Sequence, residues 1–291
     1  MKIIDGKKVS NEVLDEIKLA VQNRKKLNLK IPHLAAVLVG DDGPSQTYVN
    51  SKIRACERVG FESSLFQFDK SITEYELISE IEKINVNDDI DGFIVQLPLP
   101  KGINQENILN KVLPKKDVDG FNPINYGKMA LGIETFLPAT PAGIIELIKR
   151  YSIDLKGKKC LVIGRSQIVG RPISILLSQN KIFGNATVTV AHSRSNNLKE
   201  ICLDSDIIIS AIGIPEFIKE DMIKTGSIII DVGICRVEDD NSLKGYRIVG
   251  DVDFDSVYDK VSLITPVPGG VGPMTISMLL KNTLRASSLN D

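Results

Sequence analysis

Apolar positions along the chain follow two alternating periods. Val13, Ile17, Ala20 and Val21 recur at helical spacing behind Ser10, which the pattern predicts as an N-cap. Leu34 to Val39 is instead an unbroken apolar run ending at Gly40, as in a strand buried on both faces. Pro44 suits the first turn of a second helix and Gly60 its end. Ser64 to Phe68 reads as a strand, and Thr73-Glu74-Tyr75-Glu76 as a capping box ahead of Leu77, Ile78, Ile81 and Ile84. Gly92 to Leu97 reads as a further buried strand, stopped by Pro98 and Pro100. Short apolar strands between helices predict βαβ units around a parallel sheet.

From Pro114 to Pro141 the chain is rich in Pro, Gly and Asn and loses its period, which marks an irregular segment of the functional kind. Thr140-Pro141 then opens a helix carrying Ile144, Ile145, Ile148 and Tyr151. A fresh alternation follows, with strands predicted at Leu161 to Ile163, Thr187 to Ala191, Ile207 to Ala211 and Ser227 to Val232. Thr275 is the expected cap of a last helix through Leu284, folding back onto the first domain. The expectation is an α/β protein of two domains, residues 1–140 with 275–291 and residues 141–274, the second Rossmann-type.

A length of 291 residues agrees with two cores. With a formal net charge of −1, no global basic field draws the chain to nucleic acid or anionic lipid. Its apolar runs are too short to span a bilayer, and Met1 to Gly6 does not read as a signal peptide, so no membrane partner and a cytoplasmic location are expected. Cys56, Cys160, Cys202 and Cys235 are scattered, and the only histidines are His33 and His192. Free buried thiols and no metal site follow.

The strongest local signal is Lys159 to Gly170, a strand running into the glycine turn Gly164-Arg165-Ser166-Gln167-Ile168-Val169-Gly170 and then a helix. This order aims backbone N–H groups and a helix dipole at a pyrophosphate. Ser166 stands where the dinucleotide fingerprint has its second glycine. The next strand ends at His192-Ser193-Arg194, with no carboxylate to hold ribose hydroxyls. Arg165 and Arg194 suit a 2′-phosphate, so NADP is the expected cofactor rather than NAD.

Tyr48 and Lys52, four residues apart on the second helix, share one face. By themselves they describe the edge of an amphipathic helix. Gln96 ends a parallel strand, at the sheet edge where α/β enzymes bind ligands. Asp119 precedes Gly120 in the irregular segment, and alone it reads as a turn residue.

In sequence order the chain carries Tyr48-Val49-x-x-Lys52, Val95-Gln96-Leu97-Pro98-Leu99-Pro100, Lys116-Asp117-Val118-Asp119-Gly120-Phe121, the Gly164 to Gly170 turn, Asp231-Val232-Gly233-Ile234, and Pro266-Val267-Pro268-Gly269-Gly270-Val271-Gly272-Pro273-Met274-Thr275. Over nearly its whole length this resembles the bifunctional methylenetetrahydrofolate dehydrogenase/methenyltetrahydrofolate cyclohydrolase family. The resemblance implies an N-terminal folate-binding catalytic domain and an NADP-binding domain with a cleft between them. It implies NADP-dependent oxidation of 5,10-methylenetetrahydrofolate and hydrolysis of the methenyl product to 10-formyltetrahydrofolate, in one-carbon metabolism and purine biosynthesis. By the same resemblance Lys52 is the central catalytic residue, with Gln96 bonded to it, Tyr48 stacked on the folate and Asp119 on the pterin edge. Gly164, Arg165, Ser166, Ser193 and Ile234 contact NADP, and the loop from Pro266 to Gly272, with Pro268, Gly269 and Gly272, lines the folate cleft. A homodimer joined through the nucleotide domains is implied too.

The chain departs from the family pattern at Ala139, often cysteine, and at Cys235, often asparagine beside Ile234. Its length leaves no residues for an appended formate-ligase domain. Two other classes share many of these features: another two-domain NADP dehydrogenase acting on a small hydroxy or amino acid, and a non-catalytic nucleotide-binding module. A dehydrogenase that has lost its cyclohydrolase activity is opposed by the presence of Lys52 and Gln96.

Overall fold

A computed structural model of the chain describes residues 2–240, 242 and 245–289. They form two compact units, residues 11–139 with 276–291 and residues 1–10 with 140–275. In chain order the first half comprises α1 (Gly6–Lys26), β1 (His33–Val39), α2 (Gly43–Val59), β2 (Glu62–Phe68), α3 (Glu74–Val86), β3 (Gly92–Val95), α4 (Gln105–Lys111) and α5 (Pro123–Ala130). The second half comprises α6 (Ala139–Arg150), β4 (Lys159–Ile163), α7 (Gly170–Ser178), β5 (Thr187–Ala191), α8 (Leu198–Leu203), β6 (Ile207–Ser210), β7 (Ile228–Asp231), β8 (Cys235–Glu238), β9 (Tyr246–Val249), α9 (Phe254–Val257), β10 (Leu263–Ile264) and α10 (Val271–Ser288).

In the unit of residues 11–139, the three strands run parallel in the order β2-β1-β3. The central β1 is buried from Leu34 to Val39, so its continuous apolar run reflects cover on both faces, while β2 at the edge alternates. Ala35, Val37, Phe93 and Val95 pack with Leu77, Ile81 and Ile84 of α3 and Ile108 of α4 into one core. Thr73 and Glu76 form the expected capping box, and Gly60 closes α2 at φ 84°, a left-handed conformation that suits glycine.

In the other unit, five parallel strands lie in the order β10-β7-β6-β4-β5, and β8 and β9 form a separate antiparallel pair. The chain leaves β4 for β5 on one side and then crosses to β6 on the other. The carboxyl end of β4 is therefore a topological switch point, the usual ligand position in such sheets. Leu161, Ile163, Ile208 and Ile229 form the core with Ile218, Val252 and Val257.

Several local expectations change. Ser10 lies inside α1 and donates to the Pro273 carbonyl at 2.9 Å; the helix starts four residues earlier, with Asp5 Oδ1 accepting the Lys8 N–H at 2.8 Å. Thr275 likewise lies inside α10, which begins at Val271, and its hydroxyl meets that of Thr140 at 2.9 Å. Residues 1–10 group with the second half, since the Ile4 N–H bonds the Ile264 carbonyl and the Lys7 N–H that of Gly269, both at 2.8 Å. The segment 114–141 holds a helix, α5, started by Asn122 and Pro123; with only Asn125 and Met129 buried, it is too short and polar to show a period.

Candidate active site

Gln96 follows β3 directly, and its backbone N–H still bonds the Val37 carbonyl of β1 at 2.9 Å. Its side-chain Nε2 donates to the Leu97 carbonyl at 2.7 Å, which fixes the amide and turns Oε1 the other way. Oε1 accepts from the Lys52 ammonium at 3.0 Å. Lys52 is half-buried on α2; Tyr48, one turn earlier on the same face, is 47% exposed. Both peptide bonds Leu97–Pro98 and Val267–Pro268 are cis.

Asp119 reaches this group through its neighbours. Phe93 of β3 donates its N–H to the Lys116 carbonyl at 2.9 Å and pairs in parallel with Asp117, so the chain at 116–117 runs beside β3. The chain then turns, and Asp119 stands in that turn, near enough to Lys52 for the two charges to act on each other. The buried Lys116 ammonium donates to the Ile84 carbonyl at 3.2 Å and to that of Asn87, closing the carboxyl end of α3. The buried Asp117 carboxylate accepts the N–H groups of Gly120, Phe121 and Asn122 at 3.1, 3.1 and 2.8 Å. Gly120 itself sits at φ 76°, and a Cβ there would lie 2.5 Å from the Pro138 nitrogen. Lys116 and Asp117 therefore build the loop on which Asp119 stands, a role their motif alone does not reveal.

The charges in this group are tuned by burial. Loss of solvent pulls the Lys52 ammonium below the usual lysine value, and the Asp119 charge opposes that. Burial pushes the Asp119 carboxyl up to about 6, with Lys52 drawing it down and Asp117 adding to the rise. The result is a fixed amide, a lysine that gives up its proton more readily than usual and a carboxyl that titrates near neutrality. Such a set suits proton transfer.

In the other unit, Gly164 follows β4 at φ 116°, and a Cβ there would overlap the Ala211 carbonyl oxygen. A Cβ on Gly170 would overlap the Gly164 carbonyl, so these two glycines permit the tight turn and close strand–helix approach. Ser166 changes the expected picture of N–H groups left open for a phosphate. Its hydroxyl accepts the N–H groups of Val169 and Gly170 at 3.1 and 3.3 Å and so holds the turn that leads into α7. After β5, Ser195 Oγ accepts the His192 N–H at 3.0 Å and His192 Nδ1 accepts that of Arg194 at 3.2 Å. Arg165, Ser193 and Arg194 are exposed, and this cationic and hydroxyl donor set, with the glycine cradle of Gly164, fits a phosphorylated dinucleotide. Ile234, 51% exposed, lines a cavity of about 210 Å³ with Pro266, Pro268, Gly269 and Gly272, which brings an expected cofactor contact beside the expected substrate loop. Cys235 is half-buried at the start of β8, and Ala139 is buried at the start of α6.

Residues 4–119 match the family model of the tetrahydrofolate dehydrogenase/cyclohydrolase catalytic domain, and residues 138–291 that of the tetrahydrofolate dehydrogenase/cyclohydrolase NAD(P)-binding domain. The bifunctional protein FolD of Christiangramia forsetii is 60% identical over 286 residues, covering 98% of this chain and 96% of that protein. The bifunctional enzyme FolD, methylenetetrahydrofolate dehydrogenase/cyclohydrolase, from Campylobacter jejuni is similar with a TM-score of 0.92 at 45% identity, over 99% of each chain. The Trypanosoma brucei N5,N10-methylenetetrahydrofolate dehydrogenase-cyclohydrolase (FolD), solved with NADP cofactor and inhibitor, gives a TM-score of 0.92 at 36% identity, over 99% of this chain and 97% of that one.

Proposed function

The chain belongs to the tetrahydrofolate dehydrogenase/cyclohydrolase family, and on that premise we propose that Lys52, Gln96, Asp119 and Tyr48 carry its folate chemistry. It is a bifunctional NADP-dependent enzyme, oxidising 5,10-methylenetetrahydrofolate to the methenyl compound and hydrolysing that to 10-formyltetrahydrofolate. With the family assigned, the hydroxy-acid dehydrogenase and the non-catalytic module fall away as alternatives.

The observation that carries the residue assignment is the Lys52–Gln96 hydrogen bond, on a lysine whose proton burial has loosened. NADP, when bound, supplies the hydride acceptor for the first reaction. That reaction leaves a cation shared between two ring nitrogens and needs alignment more than proton transfer. Tyr48 stacks on the folate and Asp119, ionised above about pH 6, accepts hydrogen bonds from the pterin edge. In the second reaction water adds to the methenyl carbon, the bond from that carbon to one ring nitrogen breaks, and the freed nitrogen takes a proton. Lys52, in the neutral form that burial favours, takes one proton from the attacking water and delivers it to the leaving nitrogen; the proton of the resulting hydroxyl passes to solvent as the formyl carbonyl forms, and Gln96 Oε1 holds the Lys52 nitrogen in place throughout.

Residues 11–139 with 276–291 form the folate unit in this reading, and residues 1–10 with 140–275 the cofactor unit. Gly164, Arg165, Ser166, Ser193 and Ile234 hold NADP, and Pro268, Gly269 and Gly272 serve the folate. Ser166 does so through the turn it holds together, and Arg165 through the 2′-phosphate. The protein works as a cytoplasmic homodimer, and its 10-formyl product feeds purine biosynthesis. Among the described residues, no helix is long and apolar enough to cross a membrane. Purified protein given methylenetetrahydrofolate and NADP should form NADPH and then consume the methenyl product. Absence of both signals from folded protein would overturn the reading.

A further inference from the structure

Two aspartates, Asp231 at the end of β7 and Asp251 just after β9, take no part in the chemistry just described, yet both are buried. Asp231 is 3% exposed and Asp251 0%. Buried carboxylates are costly unless donors surround them, and here the donors come mostly from loop backbone. Asp231 accepts the N–H groups of Gly233, Asp251 and Val252 at 2.9, 3.0 and 2.9 Å. Asp251 accepts those of Ile212 and Ile214 at 2.8 and 3.1 Å, and the Ser210 hydroxyl at 3.0 Å. Three chain segments thus converge on one pair of side chains: 210–214 after β6, 231–234 after β7, and 249–252 after β9.

The glycines of these segments record the same construction. A Cβ on Gly233 would overlap the Asp251 carboxylate, and a Cβ on Gly250 would overlap that of Asp231. The loops are therefore wrapped directly around the two acids. Asp231 also lines the cavity shared by Ile234 and the 266–272 loop. Holding both acids here is costly, since burial pushes the Asp231 carboxyl up to about 7 and the charge of Asp251 adds to the rise, and the converging N–H groups offset that cost. Retaining two acids here makes sense if the loops must keep one backbone shape.

We propose that Asp231 and Asp251 are positioning residues for the cofactor: together they pin the loops after β6 and β7, including the one that carries Ile234, in the shape that NADP binds. The inference rests on the NADP-dependent reading above. It predicts a defect confined to the cofactor, because the cyclohydrolase step requires no hydride acceptor.

The test uses the full-length protein and the variants Asp251→Asn and Ser210→Ala, the second removing one hydroxyl donor while leaving both acids. NADP binding is titrated directly by calorimetry, KM and kcat are measured for the dehydrogenase, and methenyltetrahydrofolate hydrolysis is measured without NADP. Asp251→Asn should weaken NADP binding about tenfold, the worth of one hydrogen bond to a charged group, and raise the KM for NADP in step. Its kcat should stay within about threefold and its hydrolysis rate within about twofold of the parent, margins well below the tenfold expected of binding. Ser210→Ala should show the same pattern, smaller in size, and keeps the inference testable if Asp251→Asn does not fold. Unchanged NADP affinity in a folded variant, or equal loss of hydrolysis and cofactor binding, overturns the inference alone. Failure of the parent protein to bind NADP overturns the functional reading and this inference with it.

Discussion

The Lys52 ammonium and the Gln96 side-chain oxygen lie 3.0 Å apart, joining a helix face to the end of a strand. Because Gln96 Nε2 is held by the Leu97 carbonyl, the amide has one orientation left, and that orientation accepts from lysine. The two side chains should therefore behave as a unit. In a double-mutant cycle with Lys52→Met and Gln96→Ala, the loss in cyclohydrolase rate should be strongly non-additive. Additive losses would show that the bond has no part in the reaction.

Lys52→Met keeps most of the stem and removes the ammonium. Cyclohydrolase activity should fall by about 10²–10⁴-fold, the usual worth of a general acid–base group. Dehydrogenase activity should survive in part, so methenyl product accumulates. Hydrolysis at the parent rate by folded Lys52→Met would reduce Lys52 to a residue of the helix face.

Asp119 links function to stability, and the sign can be worked out. Its folded value, about 6, lies above the ordinary aspartate value of 3.8, so the folded protein binds more protons than the unfolded chain in between. That stabilising contribution is present at low pH and is lost as pH rises through about 6. Asp119→Asn, which cannot ionise, should be more stable than the parent at pH 8 by up to about 3 kcal/mol, and the gap should close near pH 4. Folate affinity should fall in the same variant while NADP affinity holds. A stability gap independent of pH in denaturant titrations would contradict the assigned ionisation.

Arg165 is exposed at the glycine turn and is assigned to the 2′-phosphate. Arg165→Ala should raise the KM for NADP by about tenfold or more, as expected for a lost charge-assisted contact, and leave the slow use of NAD nearly unchanged. Equal losses with both cofactors would assign Arg165 to folding instead.

Gly164 has no room for a side chain and lies at a φ that L-residues rarely adopt. Gly164→Ala should therefore displace β4 from the Ala211 loop and abolish measurable NADP binding, while Gly157→Ala, at a turn with nothing within 4 Å of the added Cβ, costs only its backbone strain. Comparable NADP affinities in the two variants would refute the steric argument.

The amino-acid order alone determined the parallel α/β architecture, because continuous apolar runs and helical spacings report which faces must leave water. It also determined the local caps at Thr73 and Gly60, whose chemistry is complete within a few residues. The family motifs named Lys52, Gln96 and Asp119, but the bond between the first two spans 44 residues of chain and exists only once β3 lies against β1 and α2 has packed. The sequence offered Ser10 and Thr275 as caps in place of the true helix starts at Gly6 and Val271, because it could not show that both hydroxyls are spent on distant partners, the Pro273 carbonyl and Thr140. The roles of Lys116, Asp117, Asp231 and Asp251 were likewise decided by tertiary structure. An acid in a sequence reads as a solvated charge, and only folding can bury it and surround it with N–H groups from loops far along the chain.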